Sequence, residues 1–523
     1  MEPITALAAS SDPAGPREAG VEPDAASRRY AFYAVGLLAA GNLLSYLDRN
    51  IIFALFEPIK RDLGVSDAHL GWLGSAYAIV FSCASLLAGV VSDLSSRRAV
   101  LAGGMALWSA FTALGGGVRS YLQLFVSRSL VGVGQSAYLP AAQALLADYF
   151  PGKGRAQALG IFWVGLALGG VLAIYLGGLL SAVFGWRMTM ALVGLPGLLF
   201  ALLLGRLKDP VPRRVIRVAP APARKFKLTL RIGVRAMAPL LVSLIAGTVL
   251  AAFLALFESL PAQMDTAVFG VIAGLGAVWT IARWALILFR HPHLLPVGKP
   301  ADIFDEMLDA GAVVLRTPTL IWLFVGGALT AAAMNALVAW SASYLQRELG
   351  MTLVEAGRQI GPAGLAAGVL GSWSGGRVGD RLMETFAGGR VMASAAGFLV
   401  GAPLCILMLL TDSRTVFSVL FFFVVFFYTW YNGPVAAVLF DVVPREIAAT
   451  VMGAYVFFIH IAGDAIALPA VGALSDRLGL RSAMLSLPMV GLLGGVVLLF
   501  ALFTVKRDMT RVRTPAADSA ASA

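Results

Sequence analysis

Long uncharged apolar runs recur along the chain, separated by short polar clusters. Tyr30 to Leu47, Leu70 to Ser92, Ala156 to Trp186 and Ala236 to Phe257 each approach or exceed the roughly 20 residues a helix needs to cross a bilayer core. Together with the weaker runs between them they predict fourteen membrane helices. Six run over 30–208 and six over 318–506. Between them lie a basic linker at 209–235, an extra hairpin of two apolar segments at 236–290, and a loop at 291–317. Within that loop Ala301 to Leu315 sets Ile303, Phe304, Met307 and Leu308 apart from Asp302, Asp305, Glu306 and Asp309. That pattern is an amphipathic helix, at the membrane surface or against other loops. Residues 1–29 begin rich in Ala, Pro, Ser and acids without apolar periodicity and predict a disordered tail, and 507–523 is expected to be a second cytoplasmic tail.

The two halves echo each other. Asp148-Tyr-Phe-Pro151, with Ala156 and Gly160 beyond it, recurs as Asp441-Val-Val-Pro444, Ala449 and Gly453. Gly89-x-x-x-Asp93, followed by Arg97 and Arg98, recurs as Gly376-x-x-x-Asp380, followed by Arg381 and Arg390. Matching halves in one membrane-spanning chain are the trace of a transporter built from repeats around a midplane site.

The net charge of +11 raises nucleic acid as a partner, and its distribution removes it. Basic residues gather in alternate loops, and between Arg206 and Arg235 ten of them stand against one acid, Asp209. The positive-inside rule then places these loops and both termini in the cytoplasm, as expected for a multi-pass protein of the inner membrane. The two cysteines, Cys83 and Cys405, lie in apolar runs and predict no disulfide. H-E-x-x-H, G-x-S-x-G, phosphate-loop and clustered Cys/His patterns are missing, so neither enzyme chemistry, cofactor nor metal is expected.

The repeated Gly-x-x-x-Asp segments sit at helix ends where a glycine permits close approach and the aspartate can pair with an arginine. They predict a latch that breaks when the halves rock: Gly89, Asp93, Arg97 and Arg98 in the first half, Gly376, Asp380 and Arg381 in the second. These two latches, Arg128-x-x-x-Gly132-x-Gly134, and the glycine-rich segment Gly160, Gly165, Gly169, Gly170, Gly177 and Gly178 together resemble the major facilitator superfamily. Tyr46-Leu-Asp48-Arg49 and Arg128-Ser-Leu-Val-Gly-Val-Gly134-Gln135-Ser-Ala-Tyr138 resemble its spinster subfamily. The resemblance implies an all-α polytopic membrane protein of two pseudo-symmetric six-helix bundles, here with the extra two-helix hairpin. It also implies alternating access, often with proton-coupled movement of lysolipids or sphingosine phosphate. Gln135 departs from the spinster pattern, which has a glutamate there, and an amide cannot titrate.

Charge inside a membrane segment is costly and therefore functional by default. Asp48 is assigned to proton coupling, and Arg49 to that carboxylate's field or to an anionic head group; a structural ion pair with the Arg128 segment is the alternative. Arg128 and Gln135 share one helix face with Tyr138 close by, which lets Arg128 meet Asp48, hold an anion, or snorkel to the interface. His460 and Asp464, four apart, form a second titratable pair or a packing pair. Asn335 is the repeat-equivalent of Asp48. Trp430 and Tyr431, ahead of Gly433-Pro434 where the helix is expected to bend, suit an amphipathic ligand or lipid-facing packing. The expected partners are membrane lipid, an amphipathic or lysolipid-like substrate, and protons, with the protein acting as a monomer. Efflux of amphipathic drugs, transport of a small organic anion, and an integral-membrane lipid enzyme are the rival functions.

Overall fold

Apolar chain in lipid must satisfy its backbone N–H and C=O groups within its own segment, and helices dominate accordingly. The structure is a computed structural model and describes residues 25–94, 96–150, 155–208, 313–444 and 448–513. The linker, the hairpin at 236–290 and most of the loop at 291–317 lie outside the described residues, as do 1–24 and 514–523.

In the first half, α1 (Ala25–Ala54) leaves the face that bears Ala25 and Arg513, here the terminal face, and reaches the far face, where α2 (Phe56–Leu63) extends it. α3 (Asp67–Leu94) returns, α4 (Arg97–Gly115) goes out, and α5 (Tyr121–Ser136) with α6 (Tyr138–Tyr149) comes back. α7 (Arg155–Gly205) contributes two limbs, because Gly185 at φ 75° turns the chain at the far face. Only glycine takes that left-handed angle without steric cost. The second half repeats the pattern with α8 (Pro318–Glu348), α9 (Leu353–Thr385), α10 (Gly389–Leu410), α11 (Arg414–Tyr428) continued by α12 (Asn432–Asp441), α13 (Ala448–Phe458) continued by α14 (Ala465–Leu478), and α15 (Leu480–Met484) leading into α16 (Ser486–Phe500). α17 (Leu502–Arg513) prolongs α16 past the terminal face. Among the described residues seven helices, with α7 taken whole, are long and apolar enough to cross a membrane.

Small residues let these helices approach where lipid offers no hydrophobic drive. Gly165 and Gly169 of α7 lie against the α1 backbone at Ala39 and Leu43, where a Cβ would collide. Gly132 and Gly134 do the same for α5, against Tyr77 of α3 and Gly104 of α4, which gives the Arg128-x-x-x-Gly132-x-Gly134 pattern a packing role.

Four local features differ from expectation. α1 begins at Ala25, ahead of the predicted start at Tyr30, and α17 carries helix through Arg513 into the predicted tail. The break in the α11–α12 passage is a 3-10 turn at Thr429–Tyr431, so Pro434 falls in the first turn of α12, where a missing N–H costs least. Between α13 and α14, Ile459–Asp464 forms a π segment, a distortion that recurs at functional positions.

At the terminal face the halves keep a matched pair of latches. Arg97 pairs with Asp148, and its repeat-equivalent Arg390 pairs with Asp441 at 2.5 Å and with Asp380 at 2.8 Å. Arg98 donates to the carbonyl of Leu207 at 3.2 Å, and Arg381 is exposed. Gly89 and Asp93 lie on α3, with the Asp93 side chain outside the described residues. The close approach expected of Gly376 is made instead by its neighbours: a Cβ on Gly376 meets open space, whereas one on Gly375 would strike Trp430 and one on Gly379 would press on Pro434.

Candidate functional site

In the far half of α1, Asp48 is 2% exposed and fully engaged. Thr112 of α4 donates to both carboxylate oxygens, at 2.8 and 2.7 Å. Arg128 of α5 approaches Oδ1 at 3.3 Å and the Asp48 carbonyl at 3.1 Å, and Gln135 Nε2 stands 3.3 Å from Oδ2. Arg128 is itself 1% exposed, so its guanidinium serves Asp48 and faces neither the interface nor open solvent. This buried pair is stable because the charges offset each other and hydrogen bonds satisfy most of the remaining polar atoms. Gln135 also donates to the Ser45 carbonyl at 3.2 Å, while its Oε1 accepts the Tyr77 hydroxyl at 2.7 Å. The amide therefore links the enclosed carboxylate to Tyr77, which with Arg49, Asn42 and Tyr46 lines a small cleft.

Arg49, one residue on from Asp48, points elsewhere, as the 100° step of a helix requires. Its guanidinium lies over the rings of Tyr77 at 5.2 Å and of Tyr46 and Phe81 at 5.8 Å, which hold a cation by their quadrupoles. It is also within electrostatic reach of Asp464 on the opposite bundle. There the π segment brings His460 Nδ1 to 2.6 Å from Asp464 Oδ2, and Asn335 of α8 donates to Oδ1 at 2.8 Å. An ionised Asp464 fixes the proton on His460 Nδ1. The two repeat-equivalent positions, Asp48 and Asn335, thus each contribute to a polar centre, one in each half.

The remaining candidates divide. Tyr431 packs on Phe398 at 5.6 Å and lies within electrostatic range of Asp464, so it belongs to the second centre. Trp430 is wedged against Gly375 and Gly397 with Phe426 and Phe427 around it, and its indole N–H is buried without a partner. Tyr138 is buried and donates to the Leu38 carbonyl at 2.7 Å. It fixes α6 to α1, and its ring meets Trp108 edge-on at 5.3 Å. Thr112 and Tyr77 were not singled out from sequence; each is one polar residue in an apolar helix, a signal shared with many hydroxyls that only close on their own backbone.

The sequence also left unmarked a polar cluster at the far face. Arg347, ending α8, forks onto both oxygens of Asp67 at 2.6 and 2.8 Å and onto Glu57 at 2.7 Å. Lys60 and Ser475 each reach Asp67 at 2.6 Å, and Asp476 accepts the backbone N–H groups of Asp67 and Ala68 at 2.8 and 2.9 Å, capping α3 from the other half. Burial alone would raise the Asp67 carboxyl; the hydrogen bonds from Arg347, Lys60 and Ser475 outweigh it and hold the group down at about 2. Beside this cluster Gly71 and Gly472 bring α3 and α14 into backbone contact, and Gly178 and Gly357 do so for α7 and α9. The described contacts between bundles lie in the far half and at mid-depth.

The family model described as Major Facilitator Superfamily matches residues 38–266 and 235–463. An MFS-type efflux pump of Mycolicibacterium smegmatis is 28% identical over 88% of this chain and 89% of its own. The sphingosine-1-phosphate transporter SPNS2 of Xenopus tropicalis is 30% identical over 34% of this chain and 35% of its own. A crystal structure of a bacterial homolog of the human lysosomal transporter Spinster, inward-facing and occupied, covers 92% of this chain and 98% of that one at TM-score 0.67 and 18% identity, which establishes a shared fold. With a model matching both halves and the two-bundle architecture in place, the chain belongs to the Major Facilitator Superfamily, as a multi-pass membrane transporter with spinster proteins among its relatives.

Proposed function

We propose that this transporter moves an amphipathic, lysolipid-like substrate by alternating access coupled to protons, with its termini in the cytoplasm of a cell whose inner membrane it spans as a monomer. The terminal face is then cytoplasmic, and the contacts at the far face are those that close the outward side. The observation that carries the reading is a carboxylate, Asp48, enclosed in one bundle yet tied through Gln135 and Tyr77 to a cleft lined by the ring-held cation Arg49. Arg49 suits an anionic head group, and Tyr431 with the apolar walls around it suits the tail. Asp48 takes and releases the proton. Gln135 cannot titrate, but its amide can rotate to present oxygen instead of N–H to a protonated Asp48, and Tyr77 then reverses its own hydrogen bond. His460 and Asp464, facing Arg49 from the other half, offer a second proton site.

Proteoliposomes loaded with fluorescent lysolipid, with and without an imposed pH gradient, test this. Movement of intact lipid that rises with the gradient, and loses that rise in Asp48→Asn while a basal rate remains, is the expected result. Gradient response persisting in Asp48→Asn removes the residue from coupling. A second reading, efflux of amphipathic drugs, is supported by the match to an efflux pump along most of both chains. Under that reading a lipophilic drug, and not lysolipid, competes for the cleft.

A further inference from the structure

The last of the described helices has two unlike faces. α17 is fastened to the second bundle by its inner face: Val505 and Met509 are buried, and Asp508 accepts from the Thr319 N–H at 3.1 Å and the Thr319 hydroxyl at 2.7 Å. Its outer face is built in the opposite manner. Phe503 is 84% exposed and continues a line of rings from Trp322 through Phe500, with centroids 5.2 and 6.5 Å apart. One turn further, Lys506 and Arg507 project from the same side, and Arg511 follows a turn later. Phe503, Lys506, Arg507 and Arg511 line one shallow surface cleft.

The order along the helix matters. α16 crosses the apolar layer as far as Phe500, so Phe503 stands where acyl chains meet head groups and the three cations stand at head-group depth. Aromatic rings favour that boundary, and basic side chains beyond it meet the phosphate layer. The acid near them, Asp508, is buried and turned to Thr319, with one oxygen 3.2 Å from Arg507 Nε, so the outer face stays cationic.

We propose that this cleft is a binding site for an anionic phospholipid of the surrounding leaflet, its phosphate held by Lys506, Arg507 and Arg511 and its first acyl carbons laid on Phe503. The site is separate from the substrate cleft and does not depend on what is transported.

Native mass spectrometry of the full-length protein, with added phosphatidylglycerol or phosphatidylcholine of the same acyl chains, tests it. The parent is expected to retain phosphatidylglycerol several-fold better. The triple variant Lys506→Gln, Arg507→Gln, Arg511→Gln loses that preference, and Phe503→Ala weakens both lipids alike. A thermal melt equal to the parent's shows the triple variant folded; should it not fold, Lys506→Gln with Arg511→Gln, which leaves Arg507 on Asp508, is the substitute. Equal retention of the two lipids by the parent, or an unchanged preference in the folded variant, overturns the site. Displacement of phosphatidylglycerol by millimolar inorganic phosphate overturns the lipid assignment, because it leaves Phe503 without a part.

Discussion

A buried ion pair responds unequally to losing one partner or both. Removing Arg128 alone leaves Asp48 charged and enclosed, at a cost of about 3–5 kcal/mol, whereas replacing both partners with neutral groups leaves no stranded charge. Arg128→Gln is therefore expected to lower the melting temperature sharply, and adding Asp48→Asn to recover most of the loss; a double variant no more stable than the single one contradicts the pair. Most of this centre was legible beforehand, since an aspartate in a membrane helix and an arginine seven residues from Gln135 both break an apolar pattern. Which of the open roles Arg128 took was not, because a guanidinium that meets a carboxylate and one that snorkels look alike until the distance is known. Thr112 gave no signal apart from other hydroxyls, although it makes the shortest bonds to Asp48.

The far-face cluster sits at the ends of elements, and its pH behaviour follows from the depressed Asp67 carboxyl. A carboxyl held below its ordinary 3.8 keeps its interactions at any higher pH and loses them only as pH falls through about 2. Spin-label distances between α3 and α14 in an Asp48→Asn, His460→Gln background should accordingly stay constant from pH 5 to 8. A change over that range would place a sensor in the cluster itself. Arg347→Gln removes the fork onto Asp67 and Glu57 and should lengthen the same distance at every pH. Gly472 makes the complementary case, since a Cβ there meets the Asp67 backbone. Overpacking of about 1–3 kcal/mol in Gly472→Ala should push α3 and α14 apart and shift the population toward the far-face-open state, read by the same labels. None of this was visible in sequence, where Asp67, Arg347 and Ser475 are ordinary polar residues at helix ends in different halves.

For the molecule as a whole, the repeat was the most readable feature, because Asp148 and Asp441 stand at equivalent places and do the same work, each binding the arginine of its own half. The polar centres were less readable because the symmetry fails there: Asp48 is answered by Asn335, and the charge of the second half sits on Asp464 instead. Two departures from regular helix, the 3-10 turn before Asn432 and the π segment at Ile459–Asp464, also escaped a reading based on period alone. Neither changes which residues are apolar.

The enclosure of Asp48 with Arg128 has an electrical consequence. While Asp48 is ionised the pair carries no net charge and adds nothing to the voltage dependence of the bundle that holds it. Once Asp48 binds a proton, Arg128 is an uncompensated positive charge inside the dielectric, and each 100 mV across the membrane biases its full displacement by about 2.3 kcal/mol. The proton-loaded step should therefore move one more charge than the empty one, so capacitive currents on a solid-supported membrane should grow on a jump to acid pH in a His460→Gln background and lose that growth when Asp48→Asn and Arg128→Gln are added.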